Sequence, residues 1–270
     1  KALCAGAGSV SLVATGAASY IWTPTTSLSC AACDTTMASP TSSTTYVVTG
    51  TDVNGCINRD SVTVIIRPLP AVNAGADQTI CKGSPATLSV TGASAYSWSP
   101  ATGLSCTACA RPIANPATTT SYSVTGTDSY GCTNKDTITV TVNPLPVLNH
   151  TPDQTICAGK SAILSVSGAA AYHWSPAAAG SCTTCDTIST TPGSTTKYTI
   201  TGTDRPGCSD TTSILVTVDP LPIINVTHDT TICDSTSIKL TASGAFNYTW
   251  APPKNLSCIN CATTIASPTD

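Results

Sequence analysis

The sequence predicts an all-β chain built as a tandem array of small β-sandwiches. Three observations carry this. The segment from Thr79-Ile80-Cys81 to Pro144-Leu145-Pro146 is largely rewritten along the chain, with its Tyr96-Ser97-Trp98-Ser99-Pro100 recurring around Trp22, Trp174 and Trp250, so that the four tryptophans stand 76 residues apart. Self-similarity at a fixed period is the strongest architectural signal a sequence offers. Apolar residues also alternate with serine and threonine, the period of half-buried antiparallel strands. Finally, no window carries a sustained 3.6-residue apolar stripe, and Gly, Pro and Asp punctuate the alternating runs.

Within the second repeat, Ala86, Leu88 and Val90 alternate with Thr87, Ser89 and Thr91. Tyr96 and Trp98 alternate with serines, Tyr122 and Val124 with Ser121, Ser123 and Thr125, and Ile138, Val140 and Val142 with threonines. Each run predicts one strand. Lys82-Gly83-Ser84-Pro85, Thr91-Gly92-Ala93 and Asp128-Ser129-Tyr130-Gly131 predict the turns between them. The repeat boundaries are expected at 1–68 (opening strand missing), 71–144, 147–220 and 223–270 (last strands missing). Pro68-Leu69-Pro70, Pro144-Leu145-Pro146 and Pro220-Leu221-Pro222 join them. Proline fixes φ and extends the residue before it, so these joints are expected to be stiff and the array rod-like.

Composition excludes several classes. Charged residues make up 9% of the chain and the formal net charge is -3, without a basic cluster. No electrostatic footprint for nucleic acid or an anionic membrane surface is present. No apolar run reaches the roughly 18 residues a membrane-spanning helix needs. Lys1-Ala2-Leu3-Cys4 opens inside a repeat, so a segment of a longer protein is expected.

The string Gln78-Thr79-Ile80-Cys81-Lys82-Gly83, then Tyr96-Ser97-Trp98-Ser99-Pro100, then Thr120–Asp128, then Gly131-Cys132 carries a more specific likeness. An inward tryptophan followed by a tyrosine opening a later strand (Tyr46, Tyr122, Tyr198) resembles the immunoglobulin pattern. The whole string resembles the Ig-like/PKD-like repeats of giant surface adhesins and filament proteins from gliding, type IX-secreting bacteria of the Bacteroidetes type. The resemblance implies a non-enzymatic stalk or fibre segment at the cell surface or in a surface filament. Its expected partners are neighbouring repeats and other copies in a filament. An array of weak glycan- or surface-binding modules acting by avidity is the alternative. In that alternative Tyr96 and Trp98 would stack on sugar.

The complete repeats carry four cysteines each, and the last carries Cys233, Cys258 and Cys261. In small domains of secreted type such sets read as disulfides, with three connectivities open for four cysteines. The favoured pattern closes Cys30–Cys33, Cys106–Cys109, Cys182–Cys185 and Cys258–Cys261 as local loops. Because the resembled repeats often keep only the first and last cysteines, the resemblance implies Cys4–Cys56, Cys81–Cys132 and Cys157–Cys208, leaving Cys233 unpaired. One Cys-x-x-Cys per repeat, with no histidines that follow the period, argues against zinc.

No catalytic set can be assembled. His150, His173 and His228 do not repeat, and no nucleophile, base and orienting group converge. Asp52, Asp60, Asp128 and Asp136, around Gly-Cys turns, offer the only candidate calcium ligands, in competition with ordinary turn chemistry. Threonine and serine occupy outward positions where charges normally sit. Thr35, Ser61, Thr137, Thr187, Thr211, Thr230 and Ser235 follow aspartates in tripeptides that match the O-glycosylation acceptor pattern of the resembled bacteria. Asn149, Asn225, Asn247 and Asn255 head N-glycosylation sequons that do not repeat.

Overall fold

The computed structural model describes residues 1–177, 182–233 and 235–269, in two compact units, Lys1–Leu145 and Pro146–Asp270. Among the described residues every regular element is a β-strand. The first unit contains β1 (Ala2–Cys4), β2 (Val10–Val13), β3 (Ser19–Thr23), β4 (Thr35–Ala38), β5 (Thr44–Thr51) and β6 (Ile57–Arg67). These are followed by β7 (Gln78–Cys81), β8 (Ala86–Thr87), β9 (Ala95–Ser99), β10 (Ile113–Ala114), β11 (Thr120–Thr127) and β12 (Thr133–Asn143). Each set of six makes one sandwich. Sheet β1-β6-β5-β3 faces the pair β2-β4, and β7-β12-β11-β9 faces β8-β10.

The alternation in sequence becomes the two faces of each sheet. Tyr122 and Val124 of β11, Ile138 and Val140 of β12 and Trp98 of β9 point inward. They meet Ala86, Leu88, Val90 and Ala114 from the opposite layer in one buried cluster. Burying such a side chain stabilises by about 1.5–3 kcal/mol. A core of about ten residues is small, which is why local staples matter here.

The edge strands fix where the cysteines lie. β1 runs parallel to β6, with Ala2 opposite Ile65 and Cys4 opposite Arg67. β7 pairs with β12 in the same sense, placing Cys81 opposite Asn143. The first cysteine of each of these two repeats therefore lies at the end where the chain leaves for the next repeat. β5 and β6 are antiparallel and joined by Asp52–Cys56, so the late cysteine lies at the other end of the last strand.

The second unit holds β13 (Asn149–His150), β14 (Gln154–Cys157), β15 (Ala162–Ser167), β16 (Ala171–Ser175), β17 (Thr187–Thr190), β18 (Thr196–Thr203) and β19 (Ser209–Asp219). Sheet β14-β19-β18-β16 faces β13-β15-β17 around Leu164, Trp174, Tyr198, Ile200 and Ile214. The chain then forms β20 (Asn225–Val226), β21 (Ile238–Ser243) and β22 (Thr263–Ala266), ordered β20-β21-β22. Tyr248 and Trp250 have no strand to pair with among the described residues. Trp250 is accordingly half-buried, whereas Trp22, Trp98 and Trp174 are buried.

This two-layer antiparallel architecture, with its edge strand parallel to the last, is that of tandem immunoglobulin-like sandwiches.

Candidate functional site

The Cys-x-x-Cys loops explain the invariant spacing between tryptophan and cysteine. Cys30–Cys33, Cys106–Cys109, Cys182–Cys185 and Cys258–Cys261 are each bridged, with Cα atoms 5.5–6.0 Å apart. In every repeat the indole nitrogen, eleven residues before the second cysteine, donates to that cysteine's carbonyl. Trp22 reaches Cys33 and Trp98 reaches Cys109 at 2.9 Å, while Trp174 reaches Cys185 and Trp250 reaches Cys261 at 2.8 Å. The small disulfide ring holds an acceptor in place for a donor that burial would otherwise leave unpaired.

This arrangement commits the tryptophan of the second repeat to the core. Trp98 is 3% exposed and offers no face to a ligand. Tyr96 is partly buried, and its hydroxyl is held by the Ala93 amide and carbonyl at 3.1 and 2.9 Å.

The aspartate turns are closed by backbone chemistry. Asp52 Oδ1 accepts from Asn54 N and Cys56 N at 2.8 Å, and Asp128 Oδ1 accepts from Tyr130 N and Cys132 N at 2.8 Å. Asp60 Oδ1 accepts from Ser61 N, and Asp136 Oδ1 from Thr137 N. Asp136 Oδ2 also accepts from Ala74 N at 2.8 Å. The Ala74 amide, with that of Thr137, holds the Asp136 carboxyl below the usual aspartate value. Among the described residues no group of three or more His, Cys, Asp or Glu is placed to hold a metal ion. The four candidate aspartates serve as turn and strand caps, the competing turn chemistry.

Three long disulfides implied by the resemblance do not form. Cys4 bonds Cys132, across 128 residues, with Cα atoms 5.5 Å apart. This overturns both Cys4–Cys56 and Cys81–Cys132. Cys157 is free, which overturns Cys157–Cys208. Cys81 and Cys208 are themselves disulfide-bonded, whereas Cys56 and Cys233 are free and exposed.

The physical reason is the length of the last strand. Cys4 sits beside Arg67 at the exit of β6, and Cys56 immediately precedes Ile57 at its start. Eleven extended residues separate the two ends, roughly 35 Å at about 3.3 Å per residue. A disulfide spans Cα atoms only about 4.4–6.8 Å apart. The same register separates Cys81 from Cys132 along β12 and Cys157 from Cys208 along β19.

Between the first two repeats, three contacts converge. Cys132, in the turn before β12, is sealed against Cys4 and is 1% exposed. In the same turn, Tyr130 lies under the Arg67 guanidinium, 3.4 Å from the ring centroid. A cation over an aromatic face adds about 0.5–2 kcal/mol. Asn134 Nδ2 donates to the Pro70 carbonyl at 3.0 Å, tying the joint itself to β12. The junction is the most elaborated feature of this unit, and the spacing of cysteines alone pointed elsewhere. The signal that would have found it is topological. In a sandwich whose first strand parallels its last, a cysteine ending the first strand lies at the exit.

All seven hydroxyls of the Asp-Ser/Thr tripeptides belong to exposed residues, on strands or in loops.

No protein-family model matches the chain, and no curated protein matches it. Its likeness is to solved tandem-domain structures. The N-terminal eight Ig domains of the Down syndrome cell adhesion molecule align over 100% of this chain and 43% of that one, at 14% identity and a TM-score of 0.34. The I9–I11 tandem of titin aligns over 82% and 96%, at 12% identity and 0.34. The insect immune protein hemolin aligns over 78% and 72%, at 15% identity and 0.33. The chain spans less than half of the first of these, and similarity at this level transfers no function.

Proposed function

We propose that the chain is a non-enzymatic stalk or fibre segment of a large extracellular protein, whose successive sandwiches are covalently stapled to one another. In this reading the domains run 1–68, 71–144, 147–220 and 223–270, and proline joints keep them extended. The observation that carries the reading is the Cys4–Cys132 bridge, which ties one repeat to the next instead of closing a single domain. Such bridges persist in oxidising compartments, which supports an extracellular location. In the chain-entropy model, closing a loop of 128 residues stabilises by about 5 kcal/mol.

The bridge also has a mechanical consequence. Tension applied at the ends passes from Cys4 directly into Cys132, so the residues between them add no contour length while the bridge is intact. A charge-poor, hydroxyl-covered surface suits close packing with neighbouring copies. Glycans on Thr35, Ser61, Thr137, Thr187, Thr211, Thr230 and Ser235 would hydrate it. The resemblance to surface proteins of gliding bacteria supports a parent protein that stands on a cell surface and spaces adhesive elements from it.

Single-molecule stretching of the full chain tests the function. Adding reductant should lengthen the fully extended chain by at least about 420 Å, the residues between the two cysteines at about 3.3 Å each. Equal contour lengths with and without reductant would contradict it.

A further inference from the structure

Large apolar side chains on the outside of the sandwiches fall into two kinds. On the four-stranded sheets they are scattered. Ile21 and Ile65 in the first repeat and Leu215 in the third stand where the other repeats place Ser, Thr or His. Isolated exposures of this kind are ordinary. On the smaller sheets one spot is apolar in every repeat. It is a directly opposed pair of outward residues: Ser11–Met37 between β2 and β4, Thr87–Ile113 between β8 and β10, Ile163–Ser189 between β15 and β17, and Lys239–Ile265 between β21 and β22. Their chain neighbours, such as Leu12 and Ala38 or Leu164 and Ile188, are buried in the core. One member of each pair is large, apolar and exposed: Met37 at 41%, Ile113 at 49%, Ile163 at 65% and Ile265 at 49%. Met37, Ile113 and Ile265 occupy equivalent positions of the 76-residue period. In the third repeat that position is Ser189, and the aliphatic residue stands on the facing strand instead. Opposed residues have Cβ atoms only about 4.5–5.5 Å apart, so the exchange keeps the side chain at one place on the face. What recurs is the place rather than the position. Ile113 and Ile163 belong to repeats with all six strands or more, so the exposure is a property of the sheet.

The backbone edges beside these pairs are occupied. Ser29, Ser105 and Ser257 each donate their amide to the carbonyl of Met37, Ile113 and Ile265, and each serine Oγ accepts from the same residue's amide, all at 2.9 Å. On the opposite edge Gln78 Nε2 donates to Thr87 O at 3.0 Å and Gln154 Nε2 to Ile163 O at 2.9 Å. Edges filled in this way resist the addition of another strand. The side chains of the face are what remains for a partner to touch.

We propose that the outer face of the smaller sheets is the surface through which this chain packs against a second copy of itself, with these four aliphatic side chains as its contacts. A stable interface buries about 800 Å² on each partner, far beyond one side chain, so a single contact holds nothing. The contacts sum only against a partner that offers its own at the same interval. This chain has that interval, one contact per 76 residues. Around the contacts Ser11, Thr35, Thr87, Ser89 and Ser189 present hydroxyls, and Lys239 is the one charge among the paired strand residues. Two copies therefore meet with little like charge between them. The inference deepens the stalk reading and rests on it for the supply of neighbouring copies.

Sedimentation velocity of the oxidised full chain over a concentration series tests this. Cys56, Cys157 and Cys233 are alkylated first, so that copies cannot join through free thiols. Reversible self-association is expected, and added salt should not weaken it, because no exposed ion pair holds it. Met37→Thr, Ile113→Thr, Ile163→Thr and Ile265→Thr combined should weaken it at least tenfold. Each is an outward strand position, where threonine is well tolerated. Ile21→Thr, Ile65→Thr and Leu215→Thr combined remove apolar residues of similar exposure from the larger sheets and should leave association unchanged. A monomer at every concentration, association that survives the fourfold replacement, equal loss in the larger-sheet variant, or dissociation by salt would overturn the proposal. None of these outcomes bears on the Cys4–Cys132 bridge, which the reductant-dependent contour length reads alone, so the two readings fail separately.

Discussion

A buried indole needs an acceptor, and in this chain the acceptor is made by a disulfide three residues wide. Trp98 Nε1 finds the Cys109 carbonyl because the ring between Cys106 and Cys109 turns that carbonyl inward, and each repeat does the same. The pairing predicts a specific cost. Trp98→Phe keeps an aromatic ring but leaves the carbonyl unsatisfied and a void beside it. It should destabilise by about 2 kcal/mol, combining an unmade buried hydrogen bond with lost packing, as measured by denaturant unfolding. A change below about 0.5 kcal/mol would show that the indole contact is incidental. This part of the site was legible in the sequence as a constant interval between Trp and Cys. Its meaning was not, because spacing does not say which backbone atom a side chain reaches. The aspartates show the same limit. Asp52 and Asp128 flank glycine and resemble oxygen ligands, yet their carboxylates are consumed by amides two and four residues on.

At the scale of elements, the alternation of Leu88, Val90, Tyr122, Val124, Ile138 and Val140 with hydroxyl residues was enough to give strands and their buried faces. It could not give the partner or direction of the short first strand. β1 and β7 run parallel to the last strands, and that choice sends Cys4 and Cys81 to the exits of their repeats. The incoming stretch is held by one charged clamp, Ala74 N on Asp136 Oδ2, and this makes its attachment sensitive to acid. The Asp136 carboxyl is held below its usual value by the amides of Ala74 and Thr137. Its contribution to stability is therefore complete above the unfolded value of about 4 and disappears as pH falls through the lower folded value. The stability difference between the wild type and Asp136→Asn should be largest near neutrality and should vanish in strong acid. Hydrogen exchange at Ala74 reports the same loss locally. A difference that stays constant from pH 7 to pH 2 would rule out the clamp as its source.

At the scale of the molecule, repetition does more than lengthen the chain. An isolated sandwich of this size has few buried residues and open edges. The Cys4–Cys132 bridge, from the first strand of one sandwich to the turn before β12, makes the stability of the first two sandwiches depend on one another. The 76-residue period, the proline joints and the even sets of cysteines were all visible in the sequence. The direction of the long bridges was hidden, since nothing in Cys4, Cys56, Cys81 or Cys132 says which ends of the strands they occupy. Non-reducing tryptic mass spectrometry of the full chain tests the stapling most directly. Cleavage places Cys4 and Cys56 together in residues 2–59, Cys81 in residues 60–82 and Cys132 in residues 83–135. The Cys4–Cys132 bridge predicts a linked pair of 2–59 with 83–135, separated by reduction. Recovery of 2–59 closed on itself, with 60–82 linked instead to 83–135, would contradict the account.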